Sequence, residues 1–425
     1  MISRIIIFLL ALTFSAATYG QQRILLSRAT VHTGTGIKIN QGLVGIEGDK
    51  ITLVENALTY SLDKSQWDTI IDLKGKHIYP AFFAPNSKLG LTEIDAVRAT
   101  NDFDEVGIFN PHVRALIAFN SDSKVNATVK TNGVLYTQST PQGGIISGAS
   151  SIMELEAWNW EDAAVKVDEG IHLNWPSTLQ GGGWWAEPAP KEKNKNYSKQ
   201  VKQIEDFFKA AKSYSEDYEN FDQRYAAMKS IFDGNTRLYI HADELKALTD
   251  VIDFVEEYDI QYPVIIGGYD THMIARQLVD KNIPVIIKGG HTLPQNDDDP
   301  VDLPYRLPKL LNDAGVMFCI QNSGSMETMN SRNIPFLAGT AMAYGLTEED
   351  AVAAVSLSSA KIMGIGESLG SLEEGKIASL FVSDGNALDM RTNNVILAMI
   401  AGKYIALTNH QLELYQRYKK KYEDQ

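Results

Sequence analysis

Three histidines stand where the sequence predicts that strands end, a position from which side chains reach an active site. His241 ends the apolar run 238–241, and His272 and His291 follow strand-like runs that end in paired glycines. Neutral imidazole nitrogens are common Zn²⁺ ligands. The carboxylates that could add to such a site are Glu93, Asp243 and Asp270. A metal site made of these residues requires several loops to converge. The alternative for His241 is a histidine at a strand end that is held by hydrogen bonds.

Other reactive groups carry little chemistry. Cys319 is the only cysteine, so the chain has no internal disulfide, and its place in the apolar run 316–320 predicts a buried, inert thiol. The sequence holds no Walker-type phosphate loop and no Gly-x-Ser-x-Gly turn. The glycine-rich segment 142–148 could present backbone N–H groups to a ligand or form a structural turn.

Length, composition and charge limit the kinds of protein that this chain can be. The chain has 425 residues, of which 44% are hydrophobic and 22% charged, as in a globular protein with a large core. This length suits a barrel with an accessory module. A formal net charge of −14 argues against nucleic acids and anionic membranes as partners, because both require clustered Lys and Arg.

The first twenty residues have the pattern of an export signal. Arg4 provides the positive charge, residues 5–12 form a short apolar run, and small residues follow at 15–17 and 18–20. The apolar run is too short to span a bilayer of about 30 Å as a helix. The sequence therefore predicts an exported, periplasmic protein without a membrane span, whose mature chain begins near Gln21.

The elements that must position the histidines fall into two patterns. Short strand-like runs separated by turn residues occupy both ends, at residues 23–78 and near 369–408, and neither end can bury both of its faces alone. Between them, apolar strands alternate with amphipathic helices, which indicates βα units and a parallel sheet. Over about 290 residues, a closed barrel accommodates such units. Residues 181–185 are expected to be a flexible loop, and residues 189–228 are helical by composition.

Several segments then resemble the amidohydrolase family, in particular its exported, imidazolonepropionase-like branch. Residues 72–83 resemble the start of the family's first barrel strand, residues 347–351 and 359–364 its last barrel helix, and residues 371–380 its return to the β-domain. These segments occur in the same order as in the family, and together they span most of the mature chain. The resemblance implies one or two divalent metals at the mouth of the barrel, with an aspartate that activates water.

Most of the positions that the resemblance assigns to the metal carry other residues. Asn86 and Lys88 replace the two histidines of the first strand, and Gly267 replaces the histidine of the sixth. Asn322 replaces the aspartate of the eighth strand, which removes the base. Only His241, on the fifth strand, is retained, and a single histidine cannot hold Zn²⁺ in a tetrahedral site.

These observations predict an α/β fold in which a (β/α)₈ TIM barrel carries a composite β-sandwich built from both chain ends. The expected units are a signal peptide at 1–20, a β-sandwich at 21–78 with 368–408, a barrel at 79–367 and a C-terminal helix at 409–425.

The resemblance implies a hydrolase of C–N bonds, and the replaced residues predict a catalytically impaired member. It is expected to bind a small amide-like or short peptide ligand, or to pair with an active paralogue or a second copy, and to need no cofactor. The alternative is a metal-dependent amidohydrolase with Zn²⁺ on His241, His272 and His291. The candidate pocket residues are Glu93, Asp270, His272 and His291.

Overall fold

The computed structural model describes residues 22–184, 187–214 and 221–423. The predicted signal peptide at residues 1–20 and the aromatic residue Trp185 lie outside the described residues. Within the described part of the chain, no helix is long and apolar enough to cross a membrane.

Both chain ends contribute to one eight-stranded sheet, as the sequence predicts. Its strands are β1 (Arg23–His32), β2 (Lys38–Glu47), β3 (Lys50–Asn56), β4 (Thr69–Asp72), β5 (His77–Pro80), β16 (Leu380–Ser383), β17 (Val395–Ile400) and β18 (Lys403–Tyr404). The order is β18-β17-β16-β5-β1-β2-β3, with β4 beside β1. Strand β16 from the C-terminal part pairs antiparallel with β5 from the N-terminal part, which joins the two ends. Alternate residues such as Ile24, Leu26, Ile78, Leu380 and Val382 form its buried core.

The second eight-stranded sheet is a nearly closed barrel. Its strands are β6 (Phe82–Ser87), β7 (Val134–Ser139), β8 (Ile146–Glu154), β9 (Ala164–Asn174), β12 (Arg237–Ala242), β13 (Pro263–Gly267), β14 (Val285–Lys288) and β15 (Phe318–Gln321). The amide of Asn86 on β6 donates to Gln321 on β15, which links the first strand to the last. The predicted TIM-barrel architecture is confirmed.

One barrel strand departs from the parallel pattern. Strand β8 runs antiparallel to both β7 and β9. Only a short connection without a helix joins β7 to β8, and such a connection can return the chain only as an antiparallel hairpin. The glycine-rich segment predicted at 142–148 lies at this turn, at the same end of the barrel as the carboxyl ends of the parallel strands.

Helices cover the outside of the barrel. They are α1 (Lys124–Lys130), α2 (Trp160–Ala163), α3 (Tyr197–Lys212), α4 (Gln223–Phe232), α5 (Leu245–Tyr258), α6 (Ala275–Asp280), α7 (Leu303–Ala314), α8 (Ile334–Ala343), α9 (Glu348–Val355), α10 (Leu357–Ile362) and α11 (His410–Glu423). In α5, Leu248, Val251, Ile252 and Val255 recur at helical spacing and are buried.

Strand alternation separates the two faces of the barrel wall. On β12, Leu238 and Ile240 belong to the large core shared with the helices, whereas Tyr239 belongs to a separate cluster with Ile266, Ile286 and Cys319. Successive side chains of a strand point to opposite faces, so His241 lies on the same face as Tyr239. The predicted burial of Cys319 is confirmed, and burial raises the pKa of its thiol to about 12.

Two local predictions were wrong. Leu179–Trp184 (β10) is a strand rather than a flexible loop, and it pairs antiparallel with β11 (Glu187–Lys193), part of which the Lys- and Glu-rich composition had predicted as helix. Pro190 explains the second difference, because proline within a helix removes a backbone donor and clashes with the preceding turn. The predicted helical character does hold in α3 and α4.

Candidate functional site

A cavity of about 930 Å³ opens at the mouth of the barrel. It lies among the carboxyl ends of the parallel strands, where the active sites of TIM-barrel proteins are found. The polar and charged side chains on its wall include Asn86, Asn174, His241, Asp243, Lys288 and Gln321. Its volume lies in the range that holds a small organic molecule or a short peptide.

His241 lies on the cavity wall, and a chain of hydrogen bonds leads from its side chain into the barrel. Its Nε2 lies 3.0 Å from Nδ1 of His172 on β9, and Nε2 of His172 lies 2.9 Å from Oγ of Ser150 on β8. Desolvation lowers the pKa of His241 to about 4 and holds that of His172 well below its ordinary value, with His241 adding to the second effect. Both imidazoles are therefore neutral at physiological pH.

This chain of hydrogen bonds ends at Glu169, which is buried inside the barrel. Ser150 Oγ donates to Glu169 Oε1 over 2.8 Å, Gln138 Nε2 donates to the same oxygen over 2.5 Å, and Tyr239 Oη donates to Oε2 over 2.8 Å. Burial raises the pKa of Glu169, and the three donors oppose that rise. A buried carboxyl group with three donors is fully satisfied, as buried polar groups must be.

This network was not predicted from the sequence. His172 was not among the candidate residues, yet it is fully buried, as are Gln138 and Ser150. The available signal was its place in the apolar run 171–173, which resembles a barrel strand. Tyr239 is the partner of His172 across the β9–β12 pairing, which brings His172 beside the strand that carries His241.

Asn86 occupies the first of the replaced positions and is locked in place. Its Nδ2 donates to Gln321 Oε1 over 2.7 Å, and its backbone N–H donates to Gln138 Oε1 over 2.8 Å. Its φ of +48° lies in the left-handed region, which asparagine tolerates better than most residues. Its Oδ1 is buried without a hydrogen-bond partner among the described residues.

Lys88 leaves the cavity wall. Its ammonium pairs with Asp95 Oδ1 at 2.9 Å and lies 4.7 Å from the centre of the Phe103 ring. Thr328 Oγ1 donates to the same Asp95 oxygen over 2.9 Å. The Lys88 side chain is only 6% exposed, so this charge is buried and paired.

Gly267 and Asn322 also provide no metal ligand in this structure. Gly267 has a φ of +95°, and a Cβ at this position would lie 2.5 Å from Oδ1 of Asp243. A histidine here would therefore meet both backbone strain and a steric clash. Asn322 is turned aside, because its Nδ2 donates to the backbone oxygen of Asn330 over 2.7 Å.

The four candidate pocket residues do not line the cavity in the described part of the chain. Glu93 accepts from Asn120, and Asp270 accepts from the backbone N–H of Leu245 at the start of α5. His272 Nδ1 lies 3.4 Å from the backbone oxygen of Tyr269, and His291 Nε2 lies 2.7 Å from Thr340 Oγ1. Each residue has a local partner of its own.

Asp243 and Lys288 give the cavity charges of both signs. Desolvation at the mouth raises the pKa of the Asp243 carboxyl group, and the Lys288 charge is among the effects that oppose the rise. Asp243 also accepts from the backbone N–H of Tyr269 over 3.3 Å. A ligand in this cavity meets a cation, a carboxyl group and several amides.

A sequence profile described as "Amidohydrolase family" matches residues 178–405, more than half of the chain. The chain belongs to the amidohydrolase family. Known structures have the same fold. An amidohydrolase from Thermotoga maritima MSB8 has a TM-score of 0.77 at 23% identity, over 90% of this chain and 99% of that one.

Two further structures are more distant. A Xaa-Pro dipeptidase with methionine bound in its active site has a TM-score of 0.54 at 13% identity, over 90% of this chain and 100% of that one. A molinate hydrolase has a TM-score of 0.55 at 13% identity, over 93% of this chain and 97% of that one. No match was found among curated proteins.

Members of the amidohydrolase family usually hold a divalent metal, and the residues at this mouth do not fit one. The first-strand positions carry an amide bonded to Gln321 and an ammonium bonded to Asp95. Position 267 has no side chain, and one nitrogen of His241 is taken by His172. Zn²⁺ needs three or four ligands that converge. Within the described residues, no group of three His, Cys, Asp or Glu ligand atoms converges there, and His241, His272 and His291 do not form one.

One such group does exist elsewhere. Among the described residues, His32, Glu348 and Glu349 bring their ligand atoms within 4.8 Å of one another where β1 meets the start of α9. His32 Nδ1 lies 2.7 Å from Glu349 Oε1, and the Lys38 ammonium lies 2.5 Å from Glu348 Oε2. An ammonium already bound to one carboxylate competes with a metal cation, so this cluster is described as a hydrogen-bonded group that includes the Lys38–Glu348 ion pair.

Proposed function

We propose that this protein is an exported, catalytically impaired amidohydrolase that binds a small amide-like ligand at the barrel mouth without a divalent metal. The observation that carries the proposal is that the replaced metal positions are engaged in contacts of their own. Asn86 bonds to Gln321, Lys88 pairs with Asp95, and Asp243 fills the space beside Gly267. Hydrolysis by metal-activated water would lack both the metal and, with Asn322, its base.

The cavity itself supports an amide-like ligand. Asn86, Asn174 and Gln321 lie on its wall, and side-chain amides are the type of group that complements the N–H and C=O groups of a peptide-like molecule. The amides of Asn86 and Gln321 also bond to each other, so the wall presents them in a fixed orientation. Lys288 suits a ligand carboxylate. The dipeptidase among the similar structures acts on small peptides by its name, which agrees with this class. The N-terminal pattern of residues 4–20 supports export to the periplasm. Pairing with an active paralogue has no observation in its favour.

Elemental analysis tests the absence of a metal. The mature protein, purified from metal-supplemented medium, is expected to hold less than one transition-metal ion per chain. Calorimetric titration with Zn²⁺ is expected to show no site at the mouth, so that the wild type and His241→Ala bind equally. One tightly held Zn²⁺ or Mn²⁺ per chain that His241→Ala removes would contradict the proposal and favour a rebuilt metal site.

A further inference from the structure

The buried hydrogen-bond chain from Glu169 to His241 has a direction, and that direction can be derived from the backbone. The N–H of Asn86 can only donate, and its acceptor is Gln138 Oε1. The Gln138 side chain is thereby oriented with its Nε2 toward Glu169, 2.5 Å from Oε1. One end of the network is therefore fixed by a group that cannot reverse.

Ser150 transmits this direction. Its hydroxyl has a single hydrogen, which faces two acceptors, Glu169 Oε1 at 2.8 Å and the backbone oxygen of Gly170 at 3.2 Å. A hydrogen given to either acceptor leaves the Ser150 oxygen as an acceptor for Nε2 of His172 at 2.9 Å. His172 must then carry its proton on Nε2.

The same reasoning assigns the donor and acceptor nitrogens of the two imidazoles. A neutral imidazole has one donor nitrogen and one acceptor nitrogen. If His172 donates through Nε2, its Nδ1 accepts, and the Nε2 of His241 at 3.0 Å must be the donor. Desolvation lowers the pKa of both imidazoles, which keeps both neutral and so preserves this alternation. The Nδ1 of His241, whose side chain lines the cavity, is left unprotonated.

We infer that the Glu169–Ser150–His172 chain holds His241 in its Nε2–H tautomer, so that Nδ1 accepts a hydrogen bond from a cavity ligand that carries an N–H group. This inference rests on the proposed ligand-binding role of the cavity. It makes His241 a specificity-determining residue, and His172, Ser150 and Glu169 positioning residues that act through it. Lys288 on the same wall adds a preference for a ligand carboxylate.

Nitrogen-15 NMR of the ligand-free protein tests the tautomer directly. Long-range ¹H–¹⁵N correlation spectra separate protonated from unprotonated imidazole nitrogens, and His172→Asn and His241→Asn variants assign the two rings. We expect Nε2 protonated and Nδ1 unprotonated in both rings. A protonated Nδ1 on His241 would overturn the inference, because it would mean that Glu169 is protonated and the chain runs in the opposite direction.

Ser150→Ala tests whether the chain is the cause. This variant removes the link between Glu169 and His172, so both tautomers of His172 and His241 are expected to become populated. Ser151→Ala is the matched control, since Ser151 is an equally buried hydroxyl of the same strand that bonds to the Asp168 N–H instead. An unchanged tautomer in folded Ser150→Ala would overturn the role of the chain. If Ser150→Ala does not fold, the wild-type spectrum still decides the direction.

Two probes test the ligand preference. N-acetylglycine offers an amide N–H and a carboxylate, whereas its ester analogue acetoxyacetate keeps the carboxylate and lacks the N–H. Calorimetry is expected to show about tenfold tighter binding of the amide, the equivalent of one good hydrogen bond. The preference should be lost in His241→Ala. Equal binding of the two probes would overturn His241 as the ligand acceptor, whereas binding of neither probe would overturn the proposed class of ligand as well. These results are independent of the metal analysis, so failure of the proposed function would be recognised separately.

Discussion

Lys88 is a buried charge at a position to which the resemblance to the amidohydrolase family assigns a metal-binding histidine. Its ammonium is held by Asp95, which Thr328 also contacts. A buried charge without a partner is strongly destabilising, so the pair is maintained by the cost of breaking it rather than by a large net gain. A buried ammonium requires a partner, and the sequence alone could not identify Asp95 as that partner.

Lys88→Ala is expected to lower the free energy of unfolding by about 1–3 kcal/mol, because Asp95 would lose its charged partner in a buried site. Urea denaturation at neutral pH measures the change. Lys202→Ala is the matched control, since Lys202 pairs with Asp206 on an exposed helix surface, and its effect should stay within about 0.5 kcal/mol. Equal effects of the two substitutions would show that the Lys88 pair is solvated.

His241 and His172 show how far reasoning from single residues reached. His241 ends an apolar run and could be placed at the barrel mouth from the sequence. Its partner lies on a neighbouring strand 69 residues earlier in the chain, and sequence spacing alone does not fix such a contact. The environment of Gly267 could not be predicted from the sequence either, because its left-handed backbone and the proximity of Asp243 are properties of the folded chain.

At the level of elements, β8 differs most from a simple βα repeat. It turns back between β7 and β9 and ends at Glu154, whose pairing partner on β7 is Tyr136. Burial raises the pKa of Glu154 to about 7, although Lys403 opposes this rise. The strand thus carries a carboxyl group that is easier to bury when it is protonated.

The expected consequence is a stability that falls as pH rises through this window. Between the ordinary pKa of 4.5 and about 7, the folded protein keeps a proton that the unfolded chain has released. Glu154→Gln should therefore stabilise the protein at pH 8, by about 1 kcal/mol after allowance for solvent screening, and should have a much smaller effect at pH 5. Urea denaturation at both pH values measures this. Glu161→Gln, at an exposed site on α2, should be neutral at both; equal effects of Glu154→Gln at the two pH values would refute the shift.

For the whole molecule, the sequence was most informative where periodicity and motif order act together. The alternation of strands and helices after residue 237 predicted β12 to β15 and the helices α5 and α6, because these elements carry a clear pattern. Helix α7, between β14 and β15, was not predicted. The hairpins β7–β8–β9 and β10–β11 escaped prediction. Their turns and pairings depend on tertiary contacts that composition does not encode.

The joining of both chain ends in one sheet leads to the last prediction. A chain that ends at Ile377 lacks β16 to β18, which leaves β5 without its antiparallel partner and removes Phe381 from its contacts with Tyr79 and Phe82. We expect this truncated chain not to fold cooperatively, since losing one large core aromatic alone typically costs about 3–5 kcal/mol.

A chain that ends at Leu412 is the matched control, because it loses most of α11, a helix with no buried residue. It should keep a melting temperature within a few degrees of the full chain, as expected for a change of about 1 kcal/mol or less in a protein of this size. Thermal unfolding followed by circular dichroism, with size-exclusion chromatography, distinguishes the two chains. A cooperative transition in the chain that ends at Ile377 would show that the barrel is stable without the C-terminal strands, and that the two chain ends form an accessory layer rather than part of one folding unit.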